Sequence, residues 1–426
     1  MQYSLFFVLF SFLFLSAPVI QGNTVTPALQ DKDSVITIDI CISLALQNNH
    51  KANISKESIK IADSQLRQAQ SALYPSVSFS ANASIMDDDL MFIMPGQEYF
   101  FDIPHIPGIE FNKVKTAPSN SIIMDNKNVH AKLKVEYPLY TGGKIQAVNI
   151  QAKNNADIAR YINVKTDREI IFEVKQYYYS YILAKMTLDL LNETIERLDA
   201  TLNLTESIYK NGSGKVTKLD YTKNRVLVDQ VKNLQPELEN NYYKSREALQ
   251  FASGMSLPFN FSAEAFDIPF ISVNAGYDEA LQLVYKNNTD WSQINSAVEI
   301  IKAKNIEARS SMFPSVGIYA GMDANFNNFN YGLVNNYNKY IWTLGVGIRY
   351  NIFSGFNTSA QIEESEAGLR KINEEKILAK DALELQLKNI YHDLSSERDN
   401  ITRLSGAKNN AEENCSLTER SFSQEM

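Results

Sequence analysis

The chain says the same thing twice, and that duplication limits what it can fold into more than any other property. Asn48-Asn49 followed by Tyr74-Pro75-Ser76-Val77 recurs as Asn287-Asn288 followed by Phe313-Pro314-Ser315-Val316, at a constant offset of 239 positions (48 to 287, 75 to 314). Tyr137-Pro138-Leu139-Tyr140-Thr141-Gly142 recurs as Tyr350-Asn351-Ile352-Phe353-Ser354-Gly355 at an offset of 213 (137 to 350). Two copies of one plan succeed each other, over 35–254 and 276–426 with a linker at 255–275, and the first holds 26 residues more between its landmarks (239 less 213). The fold must therefore use one supersecondary unit twice.

Within each copy the hydrophobic period switches. Residues 38–73 lack Pro and Gly and predict a helix that stops before Pro75, which disfavours helical geometry in its predecessor. The next residues, 75–86, alternate strictly, with Val77, Phe79, Ala81, Ala83 and Ile85 against Ser76, Ser78, Ser80, Asn82 and Ser84. That is the period of a strand. A second strand at 128–140 sets Ala131, Leu133, Val135 and Tyr137 against Lys132, Lys134 and Glu136, ending at the Thr141-Gly142-Gly143 turn. Residues 145–210 contain no Pro or Gly and carry apolar residues at steps of three and four from Val174 to Tyr209, which predicts a helix of roughly 100 Å. A helix over 217–251 follows, and stacking the two short helices end to end beside the long one would bury its seam. The second copy predicts a helix at 277–311, strands at 314–325 and 340–353, and a long helix at 359–422.

The ends and the composition set further bounds. Leu5 to Ala17 is an uncharged apolar run, short for a bilayer span, and residues 1–22 read as a secretory signal. The net charge of −8 argues against nucleic acid. Cys41 and Cys415 are too few for a disulfide framework, and burial as small apolar residues is expected for both. The four histidines are scattered, and neither a His-Glu-x-x-His nor a Gly-x-Ser-x-Gly pattern occurs, so no enzyme, metal site or cofactor is expected.

Each strand pair has one apolar and one polar face, which suits a sandwich as well as a barrel. An export signal, aromatic residues near strand ends and strands of membrane-spanning length favour barrel staves. Open edges cannot sit in lipid, and four strands close no barrel. Three chains would supply twelve. With Val77 and its companions toward lipid, Ser76, Ser78, Ser80, Asn82, Lys132, Lys134, Glu136, Tyr319, Asp323, Thr343 and Arg349 would line the lumen. The segment 86–127 is expected as an external loop.

The order of motifs in both copies resembles the TolC family of outer-membrane efflux channels. The resemblance rests on Asn-Asn in the first helix, Ala69 ahead of Pro75-Ser76-Val77 (loosely Ala308 ahead of Pro314-Ser315-Val316), the Pro138-Leu139-Tyr140-Thr141-Gly142-Gly143 exit, and a Tyr209-x-x-Gly212 turn before a helix containing Asp220. It covers about residues 35–426. It implies a mixed α and β membrane protein: a homotrimer whose twelve-stranded barrel in the outer membrane of a Gram-negative bacterium continues as a long α-helical coiled-coil tunnel. Its partners would be outer-membrane lipid, a periplasmic adaptor protein and an inner-membrane transporter, in a tripartite efflux pump or a type I secretion system. Gly212, Gly214, Val216, Leu219 and Asp220 would form the adaptor-docking tip. A plain helix turn, with Gly ending one helix and Thr217 capping the next, accounts for the same residues without a partner.

The chain departs from the family pattern at its end. The offset of 213 puts the counterpart of the Asn211 turn at Gln424, so the counterpart of helix 217–251 is missing and a truncated product is expected. No gate residue can be assigned there. The competing expectations are a structural or adhesive coiled-coil envelope protein without a pore, or a non-functional channel fragment.

Overall fold

The computed structural model describes residues 35–100, 113–212, 214, 216–254, 262–263, 276–327, 337 and 339–425. The leader at 1–22 lies outside the described residues, as does most of the linker at 255–275. In chain order the elements begin with β1 (Val35–Ile36), α1 (Ile38–Asn48), α2 (His50–Ser71) and β2 (Ser76–Ile85). Next come β3 (Leu90–Met94), β4 (Glu98–Phe100), β5 (Lys113–Lys115), β6 (Ser119–Met124), β7 (Lys127–Tyr140) and α3 (Lys144–Lys210). The chain goes on through α4 (Lys218–Lys232), α5 (Gln235–Ala252), β8 (Ser262–Ala263), α6 (Tyr277–Asn287) and α7 (Thr289–Ser310), then β9 (Ser315–Asn327), β10 (Tyr340–Arg349) and α8 (Asn357–Glu425). They divide into two compact units, one of Met1–Ala45 with Val174–Pro269, the other of Leu46–Glu173 with Phe270–Met426.

The second unit holds a four-stranded antiparallel sheet in the order β10-β9-β7-β2. Each strand continues from or into a helix, and the helices keep the lateral order of the strands. Asn149 on α3 donates to the Ala69 carbonyl on α2 at 3.3 Å, and Arg160 pairs with Asp63 at 2.6 Å. On its other flank α3 meets α7 through Gln151 to Glu307 at 2.9 Å and Lys165 to Asp290 at 2.8 Å. Helix α7 meets α8 where Asn305 donates to Ser365 at 2.8 Å, and Arg309 pairs with Glu366. These half-exposed pairs contribute at most about 1 kcal/mol each, so they fix register more than they stabilise.

Three of the predicted helices are each two helices. The stretch 38–73 breaks at Asn49, which has extended geometry (φ −65°, ψ 129°) and accepts from the Lys51 N–H at 2.8 Å. The stretch 277–311 breaks at Asn288, which accepts from Asp290 and Trp291 N–H at 2.8 and 3.0 Å. The repeated Asn-Asn thus marks a helix break, because a short carbonyl side chain can replace the amide's helical partner. The stretch 217–251 breaks before Pro236, which lacks an N–H and belongs in a first turn.

Three further expectations are corrected. The strand read at 340–353 stops at Arg349. The insertion at 86–127 is a β-ribbon where it is described, with β3 on β6 and β4 on β5, because its apolar residues pair across the strands. Cys415 is exposed on α8, whose residues 401–417 are exposed throughout; Cys41 is buried, and neither forms a disulfide.

The first unit packs Ile36, Cys41, Val174, Tyr178, Tyr181 and Leu249 out of solvent. Tyr178 donates its buried hydroxyl to the Ile36 carbonyl at 3.1 Å, so the aromatic run at 177–181 serves packing. Antiparallel to α3, α4 is held by Asn224 to Thr205 at 3.1 Å and Lys232 to Asp199 at 2.9 Å. Burial pushes the Cys41 thiol up to about 11, leaving it protonated and unreactive at neutral pH.

Candidate functional site

The register of the sheet sorts its side chains onto two faces, since cross-strand partners point the same way. On one face Ser76, Glu136 and Tyr319 stand opposite one another, then Ser78, Lys134, Gly321 and Thr343, then Ser80, Lys132 and Asp323. Asn82 faces His130 and Arg349 faces Ser315 on the same side. All eleven residues read as lumen candidates therefore share one face. Seven of them, Lys132, Lys134, Glu136, Tyr319, Asp323, Thr343 and Arg349, help to line a hollow of about 560 Å³; the four on β2 lie outside it.

Two ion pairs form on this face. Lys132 Nζ lies 3.4 Å from Asp323 Oδ1, and Lys134 bridges to Glu136 along its own strand. His130 and Asn325 belong to the same cluster and are absent from the sequence candidates. The His130 ring sets Nε2 3.3 Å from Asp323 Oδ1 and Nδ1 2.7 Å from Asn325 Oδ1. The signal existed: continuing the alternation of Lys134 and Lys132 backward by two reaches His130. Tyr319 lies across β10 because position 345 is glycine, where a Cβ would come within 2.6 Å of the phenol ring.

The opposite face is apolar up to its far end, where Lys127 stands opposite Ile85. Val77, Val135, Ala320 and Leu344 form one row, and Phe79, Leu133, Met322 and Trp342 the next. Phe79 is 71% exposed, Trp342 79% and Leu344 71%, so this chain alone does not cover the face. Among the described residues no helix is long and apolar enough to cross a membrane. The sheet is thus the only described element with two faces of such opposite chemistry and a free edge at each side, on β2 and β10.

The other candidate site is the turn between α3 and α4. Gly212 and Gly214 have φ of 67° and 70°, and Leu219 is exposed beside a half-buried Val216. Asp220 is engaged in a cap: its carboxylate accepts from the Thr217 hydroxyl at 2.6 Å and the Thr217 N–H at 3.0 Å, while its own N–H donates to Thr217 Oγ1 at 3.2 Å. The Thr217 hydroxyl, then its N–H, hold the Asp220 carboxyl below the ordinary carboxylate range. A group lowered in this way stabilises the turn above its unfolded pKa, and the contribution is lost as pH falls through the folded value. Tyr209 stacks on Tyr221 behind the turn at 5.9 Å between centroids. Leu219 is an exposed apolar side chain at this turn, and Asp220 closes the cap of α4.

Solved structures share this fold. CusC, described for its folding and transmembrane channel formation, superposes with a TM-score of 0.62 at 17% identity, covering 86% of this chain and 79% of that one. The CmeC outer membrane channel of Campylobacter jejuni gives 0.63 at 15% identity, over 82% of this chain and 68% of that one. The outer membrane protein VceC of Vibrio cholerae gives 0.60 at 16% identity, over 82% and 75%. No curated protein sequence matches the chain. Residues 41–255, from the first helix through the sheet's first ribbon to the end of α5, match the outer membrane efflux proteins, and the chain belongs to that family.

Proposed function

We propose that three copies of this chain form an outer-membrane channel that conducts substrates passively from the periplasm to the exterior. Closure of β10 of one copy onto β2 of the next gives twelve strands, the polar face inside and the apolar face toward lipid. The helices that continue the strands extend the wall as a tunnel. The observation that carries this reading is the sheet itself: one uncovered apolar face, one polar face, and two free edges that lipid would not tolerate. A periplasmic adaptor and an inner-membrane transporter would deliver substrate, in a tripartite pump or a type I secretion system. Catalysis has no part in it.

Labelling tests which face meets water. With Cys415→Ser removing the exposed thiol and Cys41 buried, Ser78→Cys in intact outer membranes reacts with a hydrophilic maleimide, and Phe79→Cys does so at least about tenfold more slowly, as a lipid-facing site one residue away should. Equal rates would contradict the assignment of faces.

At the turn between α3 and α4, Leu219→Glu leaves the assembled oligomer intact but abolishes export, because a charge replaces the apolar contact an adaptor would bury. Thr217→Ala loosens the same turn by about 1 kcal/mol and weakens export only partly. Normal export by Leu219→Glu in a drug or cargo efflux assay would remove the docking role.

A further inference from the structure

The polar face of the sheet is not balanced in charge. Lys132, Lys134 and Arg349 stand on it against Glu136 and Asp323, an excess of one cation per copy with histidine neutral. His130 adds a group whose charge depends on pH. It lies on β7 two residues before Lys132, toward the end of the sheet away from the helices, and its side chain is 41% exposed.

The surroundings of this ring suit two states of protonation. Nε2 lies 3.3 Å from Asp323 Oδ1, which Lys132 Nζ also approaches at 3.4 Å, and Nδ1 lies 2.7 Å from Asn325 Oδ1. An imidazolium donates to both oxygens. A neutral ring donates to Asp323 alone, and the Asn325 amide then turns its NH2 toward the bare Nδ1. The ring can therefore gain or lose a proton without leaving its place. Across β7 from it, β2 presents Asn82, and β10 presents Ile341 opposite Asp323, so Lys132 and Asp323 are the titratable groups that face His130. Lys132 already balances Asp323, so a proton gained by His130 adds uncompensated charge.

We infer that His130 gives the channel a preference for anions that strengthens as pH falls. The inference rests on the polar face lining an aqueous pore, as proposed above. Histidine changes charge between about pH 5 and 8. At the acid end each copy contributes one further positive charge, and three copies place them around the axis at one level. At about 10 Å from the axis and about 0.1 M salt, such a ring raises the permeability of anions over cations roughly two- to fourfold. At the alkaline end only the fixed excess from Lys132, Lys134 and Arg349 remains.

The test records reversal potentials of the assembled full chain in a planar bilayer, under a potassium chloride gradient, at about pH 8 and about pH 5. In the wild type the chloride-to-potassium permeability ratio rises roughly two- to fourfold on acidification. His130→Gln keeps the alkaline ratio at both values, and His130→Arg, cationic throughout, holds the higher ratio at both. The pH profile separates charge from a merely structural role, which neither variant would make pH-independent. The same acid response in wild type and His130→Gln, or a wild-type ratio that does not rise, overturns this inference and leaves the channel reading standing. Inserted oligomer that carries no current overturns both.

Discussion

Leu133→Arg abolishes the assembled oligomer in the outer membrane. Leu133 lies mid-strand between Phe79 and Met322, with Trp342 completing the row, so in a closed barrel its side chain would sit near the middle of the hydrocarbon layer. Arginine at that depth costs about 2–4 kcal/mol, and a trimer contains it three times, for a total of roughly 6–12 kcal/mol. That matches the whole stability of an ordinary domain, about 5–15 kcal/mol. Lys134→Gln, one residue along on the polar face, leaves the oligomer at wild-type level. The quantity to compare is the heat-modifiable band in outer-membrane fractions, and equal bands for wild type and Leu133→Arg would show that the apolar face does not meet lipid.

Gly142→Val should lower the thermal midpoint more than any other single change in the turns that join strand to helix. Gly142 has φ of 63°, and a Cβ there would come within 2.7 Å of the Ser310 carbonyl and 2.9 Å of Phe313 Cβ. The left-handed backbone contributes about 1–2 kcal/mol and the forced contact about 1–3 kcal/mol, together roughly 2–5 kcal/mol. The contact is specific to this joint, where the exit of β7 abuts the approach to β9. Gly355, at the matching turn of the second copy, also has positive φ (61°), but nothing lies within 4 Å of its missing Cβ. Gly355→Val therefore loses only the backbone part. Equal shifts for the two variants in calorimetry of the detergent-solubilised protein would remove the packing argument.

The contrast between the two turns also shows what the sequence could and could not reveal. Both glycines sit in one repeated motif and look equivalent, yet only one meets a neighbour, and that neighbour is 168 residues away (142 to 310). Local periodicity was legible wherever a single period dominated. The alternation from Ser76 to Ile85 distinguishes two faces before any partner strand is known, and partner residues then follow with the same parity. Helix breaks were harder to see. Asn49 and Asn288 interrupt no hydrophobic period, and they end helices through side-chain hydrogen bonds that spacing alone does not reveal. His130 is hard to read for a related reason: as an isolated histidine it has no motif, and only the cross-strand neighbours Asp323 and Asn325 give it a setting. The short paired strands at 90–100 and 113–124 are hard to read because prolines and aspartates interrupt their alternation.

Conductance in a planar bilayer tests the central claim most directly. Purified, heat-modifiable oligomer added to one side of a planar membrane should produce discrete, stepwise ion currents. Replacing Lys132 by Glu, which turns one of the polar-face cations into an anion, should shift the reversal potential in a salt gradient toward cation selectivity without changing assembly. Stable insertion of intact oligomer with no current, or currents whose ion selectivity ignores Lys132→Glu, would contradict an aqueous pore lined by this face of the sheet.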